Sequence, residues 1–166
     1  MMAGSRCSRP RGVRCLLAGW LVLVLSGWAV RPATAELAEA AQTLVERAAT
    51  HIQAVGAARA FADITRPGDQ FTDGELYVFC LDADGTVLAN ASNPKLVGKN
   101  LSAVQDTEGR LPAAEIYRVG HTQGQGWVEY LWPNPQTRRV QRKVTYTRRI
   151  DDGTVCAAGY YKTDPS

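Results

Sequence analysis

The residue types that most often carry out catalysis are present in the chain, but they form no recognised catalytic pattern. There is no Gly-x-Ser-x-Gly nucleophile elbow, no phosphate-binding Gly-x-x-x-x-Gly-Lys and no His-Glu-x-x-His. His51 falls on the polar side of a predicted helix, and His121 falls in a Gly-rich turn. The carboxylate pairs in Asp82-Ala-Asp-Gly85 and Asp151-Asp-Gly153 stand where turn geometry alone favours Asp. The sequence therefore predicts no catalytic residue, no cofactor and no enzymatic activity.

Cations and aromatic rings are concentrated together in the C-terminal half of the chain. Large rings with polar groups beside one or two cations are typical of a concave site for a small, usually anionic ligand. The same rings could fill an ordinary core, so the residue types leave both interpretations open. The cations are Arg138, Arg139, Arg142, Lys143, Arg148 and Arg149, and the rings are Tyr117, Trp127, Tyr130, Trp132, Tyr146, Tyr160 and Tyr161.

Two cysteines, Cys80 and Cys156, lie in strongly β-like runs. They could form a disulfide in an oxidising compartment, or they could remain two small buried thiols. A metal site is not expected, because the cysteines and histidines have neither Cys-x-x-Cys nor His-x-x-x-His spacing.

Residues 1–35 have the composition of a secretory signal peptide. Four arginines precede the apolar run Leu16–Leu25, and Ala33-Thr-Ala35 supplies the small residues that a signal peptidase accepts. We expect cleavage after Ala35, which leaves residues 36–166 as one secreted or periplasmic domain. No later stretch is long and apolar enough to span a membrane, so none is expected after cleavage.

The charge of the chain is divided between these two parts. The whole chain has a formal charge of +3, but residues 36–166 carry 14 Lys and Arg against 16 Asp and Glu. The predicted mature domain is therefore slightly acidic, which argues against a nucleic-acid partner.

The elements that would position these residues are one long helix followed by five strands. Apolar residues recur at helical spacing from Glu36 to about Ala62. Turn signals then separate five β-like runs, and a short helix from Leu111 to about Val119 stands between the second and the third. This order predicts an α+β domain with a mostly antiparallel sheet. The predicted strands are 76–81, 86–89, 127–132, 140–150 and 154–161.

Several of these segments, in their order along the chain, resemble the single-Cache, type 2 family of extracytoplasmic sensor domains. One departure is Ala89-Asn-Ala-Ser92, which replaces a His-Pro-like pair common in the family, so no histidine role is carried over. The resemblance implies a long N-terminal helix packed on a five-stranded antiparallel PAS-like sheet, with a ligand pocket on the opposite face. The matching segments are Leu76–Gly85, Asn93–Leu101, Asp106-x-x-Gly109, Gly124–Pro135, Lys143-x-x-Tyr146 and Gly159-Tyr-Tyr161.

The resemblance also implies the site and the function. It places Cys80 and Cys156 on neighbouring central strands, and it predicts recognition of a small organic molecule, with carboxylates the leading class. Because strand side chains alternate, the implied ligand residues cannot all face one way; we expect Tyr130, Trp132 and Lys143 to line the pocket, with Lys143 meeting the carboxylate. The full implied set is Tyr117, Trp127, Tyr130, Trp132, Lys143 and Tyr146.

Two functions from different classes remain compatible with the sequence. The first is a small-molecule sensor domain that acts through a separate envelope signalling protein. The alternative is a non-catalytic protein–protein interaction module of the cell envelope, with no ligand pocket. Polar residues inside the ligand face of the sheet, above all Lys143, favour the sensor.

Overall fold

The computed structural model describes residues 33–68 and 70–162. The predicted signal peptide lies outside the described residues except for Ala33-Thr-Ala35, which begin the first helix. Cleavage after Ala35 therefore stays a prediction.

Two helices, not one, occupy the N-terminal part of the domain. Helix α1 spans Ala33–Val55 and helix α2 spans Ala57–Thr65. The prediction of a single helix over 36–62 is wrong at Gly56, whose φ of 81° lies in the left-handed region that glycine enters at little cost. The apolar stripe itself is buried as its spacing predicts, at Ala41, Leu44, Val45, Ala48 and Ile52 of α1.

The sheet contains all five predicted strands and one short strand that the sequence did not predict, and every pairing is antiparallel. The neighbours run β2, β6, β5 and β4, while β1 and β3 both pair with β2. The predicted α+β fold is therefore confirmed. The strands are β1 Thr72–Asp73, β2 Leu76–Asp82, β3 Val87–Asn90, β4 Gln125–Pro133, β5 Val140–Arg149 and β6 Thr154–Tyr161.

The two faces of this sheet have different covers. Helices α1 and α2 pack on one face, which we call the helix face, where small residues such as Ala158 allow close contact. The other face, the cavity face, is covered by helix α3, Pro112–Gln123, and by residues 91–111, which we call the connecting segment. Because side chains alternate along a strand, the position of a residue determines whether it packs against α1 and α2 or against α3 and the connecting segment.

The two cysteines meet at the centre of the sheet. Cys80 of β2 is the register partner of Cys156 of β6, so the first and last predicted strands are neighbours, as the resemblance implied. Their sulfurs are joined at 2.02 Å, and both residues are fully buried on the helix face.

Candidate ligand-binding site

A cavity lies between the cavity face of the sheet and its cover. Its volume, counted as room for the centres of water-sized spheres, is about 30 Å³, which holds about two water molecules and is far below the roughly 300–1,000 Å³ common for ligand sites. A small organic molecule therefore fits only if the side chains around the cavity move apart. The sheet contributes Tyr77, Phe79, Leu81, Val87, Asn90, Tyr130 and Trp132, and the cover contributes Leu96, Leu101, Val104, Pro112, Ala113 and Ile116.

Strand alternation selects which rings reach this cavity. In β2, Tyr77 and Phe79 point to the cavity, while Val78 between them points to the helix face. In β4, Tyr130 and Trp132 also reach the cavity, and their ring centroids lie 6.0 Å apart. The wall is thus largely apolar, with phenol and indole groups contributed by β2 and β4.

Lys143 of β5 lies directly beside this wall. Its register partners are Tyr130 in β4 and Tyr161 in β6, and its side chain is fully buried. The amine nitrogen Nζ lies 3.7 Å from the ring centroid of Tyr77, 5.1 Å from that of Tyr161 and 5.4 Å from that of Phe79. Within residues 33–68 and 70–162, no group accepts or donates a hydrogen bond to this nitrogen. The amine therefore lies behind rings that line the cavity, without a polar partner.

Burial is the dominant influence on this amine. It lowers the pKa of Lys143 well below its ordinary value, because the charged form loses its hydration. The three ring faces favour the charged form by about 0.5–2 kcal/mol each. Removing an ammonium from water costs several kcal/mol, and no opposing charge contributes here, so burial prevails. The net effect favours the neutral form of the amine.

The phenols around Lys143 are also uncharged. Burial raises the pKa of Tyr77, Tyr130 and Tyr161. Thr145 Oγ1 donates to the Tyr130 hydroxyl oxygen at 3.1 Å, and the Tyr161 hydroxyl donates to a backbone carbonyl oxygen, that of Pro133, at 3.0 Å. These hydroxyls are oriented polar groups rather than counter-ions for the amine.

Asp106 fastens the connecting segment to the sheet. Its carboxylate accepts backbone N–H groups from Glu108 and Arg110 in its own loop and from Leu131 in β4. Burial alone would raise the pKa of Asp106, but these three N–H donors lower it below its ordinary value. The guanidinium of Arg110 adds a second hydrogen bond between the connecting segment and β4, because it donates to the Glu129 carbonyl oxygen at 2.8 Å.

We expect Asp106→Ala to loosen the cover of the cavity without unfolding the sheet. Loss of the carboxylate leaves the Leu131 N–H without its acceptor, so this amide should exchange with deuterium several-fold faster. The matched control is Asp152→Ala, at an exposed residue in the β5–β6 turn. Equal exchange in both variants would show that Asp106 does not hold the segment.

The structure brings three of the six predicted ligand residues together. Tyr130 and Trp132 line the cavity, and Lys143 lies against its wall. The other two strand residues, Trp127 and Tyr146, point to the helix face, with ring centroids 5.3 Å apart. Alternation causes this separation, because Trp127 is an odd number of residues from both Tyr130 and Trp132.

Tyr117 is also separate from the cavity. It lies on α3, where its ring stacks on His121 with a centroid distance of 5.3 Å. Its hydroxyl donates to the Asp152 carbonyl oxygen at 3.2 Å, which ties the helix to the β5–β6 turn. Its contacts are those of a structural residue.

Sequence reasoning missed three aromatic neighbours of the amine, namely Tyr77, Phe79 and Tyr161. Tyr77 and Phe79 lie in the continuous apolar run of β2, and this run does not indicate which of its residues point to the cavity face and which to the helix face. Tyr161 is one of the aromatic residues clustered in the C-terminal half of the sequence, but no sequence feature placed it among the ligand residues. The pairing of β2 with β6 and of β6 with β5 is the information that brings all three to Lys143.

The antiparallel sheet, with helices on one face and a cavity under the connecting segment on the other, is the PAS-like arrangement that the resemblance implied. The chain matches the family description "Single Cache domain 2" over residues 34–161, and it belongs to that family. The resemblance read from the sequence segments is therefore confirmed.

Individual relatives are chemotaxis proteins. The methyl-accepting chemotaxis protein McpP of Pseudomonas putida is 29% identical over 93 residues, which are 55% of this chain but 17% of that protein. A solved periplasmic sensor domain of a chemotaxis protein is 25% identical, with a TM-score of 0.63 over 80% of this chain and 99% of that chain.

Two further solved structures share the fold. A methyl-accepting chemotaxis protein from Vibrio parahaemolyticus is 18% identical, with a TM-score of 0.65 over 78% of this chain and 90% of its own. A Cache chemosensory domain described for its carboxylic acid recognition is 20% identical, with a TM-score of 0.63 over 79% of this chain and 94% of its own.

Within residues 33–68 and 70–162, no helix has the length and apolarity that a membrane crossing requires. No group of three or more His, Cys, Asp or Glu side chains within the same residues is arranged to hold a metal ion.

Proposed function

We propose that this domain is an extracytoplasmic sensor that binds a small organic carboxylate in the cavity, with the carboxylate directed at Lys143. The observation that carries the proposal is the fully buried Lys143 amine, which lies beside the cavity without a hydrogen-bond partner among the described residues. A buried amine in such a place is costly for folding, and a ligand carboxylate would supply the missing partner.

The chemistry of the wall supports a short ligand with an apolar tail. Leu96, Leu101 and Val104 of the connecting segment and Leu81 of β2 give the tail an apolar surface. The phenols of Tyr77 and Tyr130 supply polar groups near the amine. Because the rings of Tyr77 and Phe79 stand between the cavity and Nζ, direct contact requires at least one ring to move aside.

Further support comes from the relatives and from the compartment. One structural neighbour is a Cache domain described for carboxylic acid recognition, and the sequence relative is a chemotaxis receptor. The Cys80–Cys156 disulfide suits an oxidising compartment, in line with the expected secretory signal in residues 1–35. We propose that the signal passes to a separate envelope protein.

Calorimetric titration with acetate, propionate and butyrate tests this function. We expect at least one of these acids to bind the wild-type protein and to raise its melting temperature by mass action. Ala113→Leu places extra methyl groups in the cavity and should abolish this binding, because Ala113 lines the cavity from α3.

The matched control is Trp127→Phe, on the helix face of the sheet, which should bind as the wild type does. Absence of binding by any short carboxylate would contradict the proposal and favour the envelope interaction module. Equal binding by the Ala113→Leu variant would show that the ligand occupies another place.

A further inference from the structure

The groups around Lys143 contain no acid that could hold its proton. Tyr77 from β2, Tyr130 from β4 and Tyr161 from β6 are the titratable groups that face it among the described residues, and burial keeps each phenol protonated. Burial lowers the pKa of Lys143, and no acidic group that faces the amine among the described residues opposes this shift.

Neighbouring charges in the chain are engaged elsewhere. Arg142, the residue before Lys143, pairs at the surface with Glu108, with a nitrogen–oxygen distance of 2.8 Å. Glu129 pairs with Lys162 at 2.7 Å. All four side chains are partly exposed, so none serves as the buried counter-ion of Lys143.

We propose that carboxylate binding at this site takes up one proton from solution, so that the sensor responds jointly to ligand and pH. This inference rests on the proposed carboxylate function and adds its regulation. The neutral amine, the carboxylate anion and one proton combine to give the complex. The net balance is the same whether the proton stays on Lys143 or on the carboxyl group.

The physical reason is that neither charge is stable alone in this environment. A carboxylate beside a neutral amine would be an uncompensated buried anion, and an ammonium without a carboxylate would be an uncompensated buried cation. One proton turns the two groups into an ion pair or into a neutral hydrogen-bonded pair. The pKa of Lys143 is therefore low in the free protein and rises in the complex, and between these values affinity falls about tenfold per pH unit.

Titration with propionate in two buffers measures the proton directly. Phosphate and Tris differ strongly in their heat of ionisation, so the difference between the two binding heats at pH 8 counts the protons exchanged. We expect uptake of one proton per propionate, and an affinity about tenfold lower at pH 8.5 than at pH 7.5. Lys99→Met, at an exposed lysine of the connecting segment, should leave both results unchanged.

The outcomes separate this inference from the proposed function. Propionate binding with no proton uptake and with equal affinity at both pH values overturns the inference and leaves the sensor function intact. No binding of acetate, propionate or butyrate even at pH 6.5 overturns both, and if acetate or butyrate binds instead, it replaces propionate in the two-buffer titration. If Lys143→Met still takes up one proton on binding, another group is responsible and the inference is wrong.

A measurement on the free protein keeps the inference testable when Lys143→Met does not bind propionate. With ¹⁵N-labelled lysine, the Nζ resonance of Lys143 is assigned by its loss in Lys143→Met. We expect the nitrogen shift of a neutral amine at pH 8. An ammonium shift for Lys143 at this pH overturns the inference.

Discussion

Replacing Lys143 by methionine is expected to stabilise the ligand-free protein while it removes carboxylate binding. Methionine retains the apolar stem, which packs beside Tyr77, and it removes the amine that has no partner there. In the unfolded chain the lysine is protonated up to about pH 10.4, whereas burial lowers the pKa of the amine in the folded state. Above this lowered pKa folding releases a proton, and methionine avoids that cost.

The proton that Lys143 releases on folding determines how the free energy of unfolding changes with pH. The folded state binds fewer protons than the unfolded state between the lowered pKa of Lys143 and about pH 10.4, so wild-type stability rises with pH in this window. The slope is about 1.4 kcal/mol per pH unit for one proton. Below the lowered pKa this contribution of Lys143 no longer changes with pH.

Urea unfolding of wild type, Lys143→Met and the control Lys99→Met at pH 7, 8 and 9 measures both effects. We expect Lys143→Met to have the higher free energy of unfolding at pH 7, with the difference from wild type shrinking as pH rises. A variant less stable than wild type at pH 7 would show that the aromatic rings hold an ammonium and that the amine is not neutral.

Loss of the Cys80–Cys156 disulfide is expected to give the second large change. The bond joins residues 76 positions apart, so it closes a long loop in the unfolded chain. Replacing both cysteines by alanine should lower the free energy of unfolding by about 2–4 kcal/mol. Carboxylate binding should persist in whatever fraction stays folded, because both sulfurs lie on the helix face.

A reducing agent supplies the control for this experiment. Dithiothreitol should lower the urea midpoint of wild type and leave that of the double alanine variant unchanged. A wild-type midpoint insensitive to reduction, together with an equally stable double variant, would show that the two cysteines do not stabilise the fold through a bond.

The order of elements was predictable because each strand and helix carries a local signal. Residues 154–161 are bounded by Asp151-Asp-Gly153 and form β6 with the predicted bounds. The break at Gly56 was not predictable in the same way, because a single glycine is tolerated within a helical pattern and the apolar spacing continues across it. The short strand β1 has two residues, too few for any alternation to show.

Strand alternation predicts which residues share a face of the sheet, but it assigns that face to the ligand only when the orientation of one residue in the strand is known. In β4 the pattern separates Trp127 from Tyr130 and Trp132, and one residue known to face the ligand would have fixed the face of all three. In β2 every residue from Leu76 to Leu81 is buried, so the contribution of Tyr77 to the cavity depends on pairing across strands. Contacts with Lys143 therefore come from tertiary structure and not from local pattern.

A crystal structure of the protein with propionate bound tests the central claim most directly. We expect the acid in the cavity, with a carboxylate oxygen within about 3 Å of Lys143 Nζ and the ethyl group against Leu96 and Leu101. The Tyr77 ring should have moved from its position 3.7 Å from the amine. Propionate bound elsewhere, or in the cavity with Tyr77 still covering the amine and no contact to Lys143, would contradict the account.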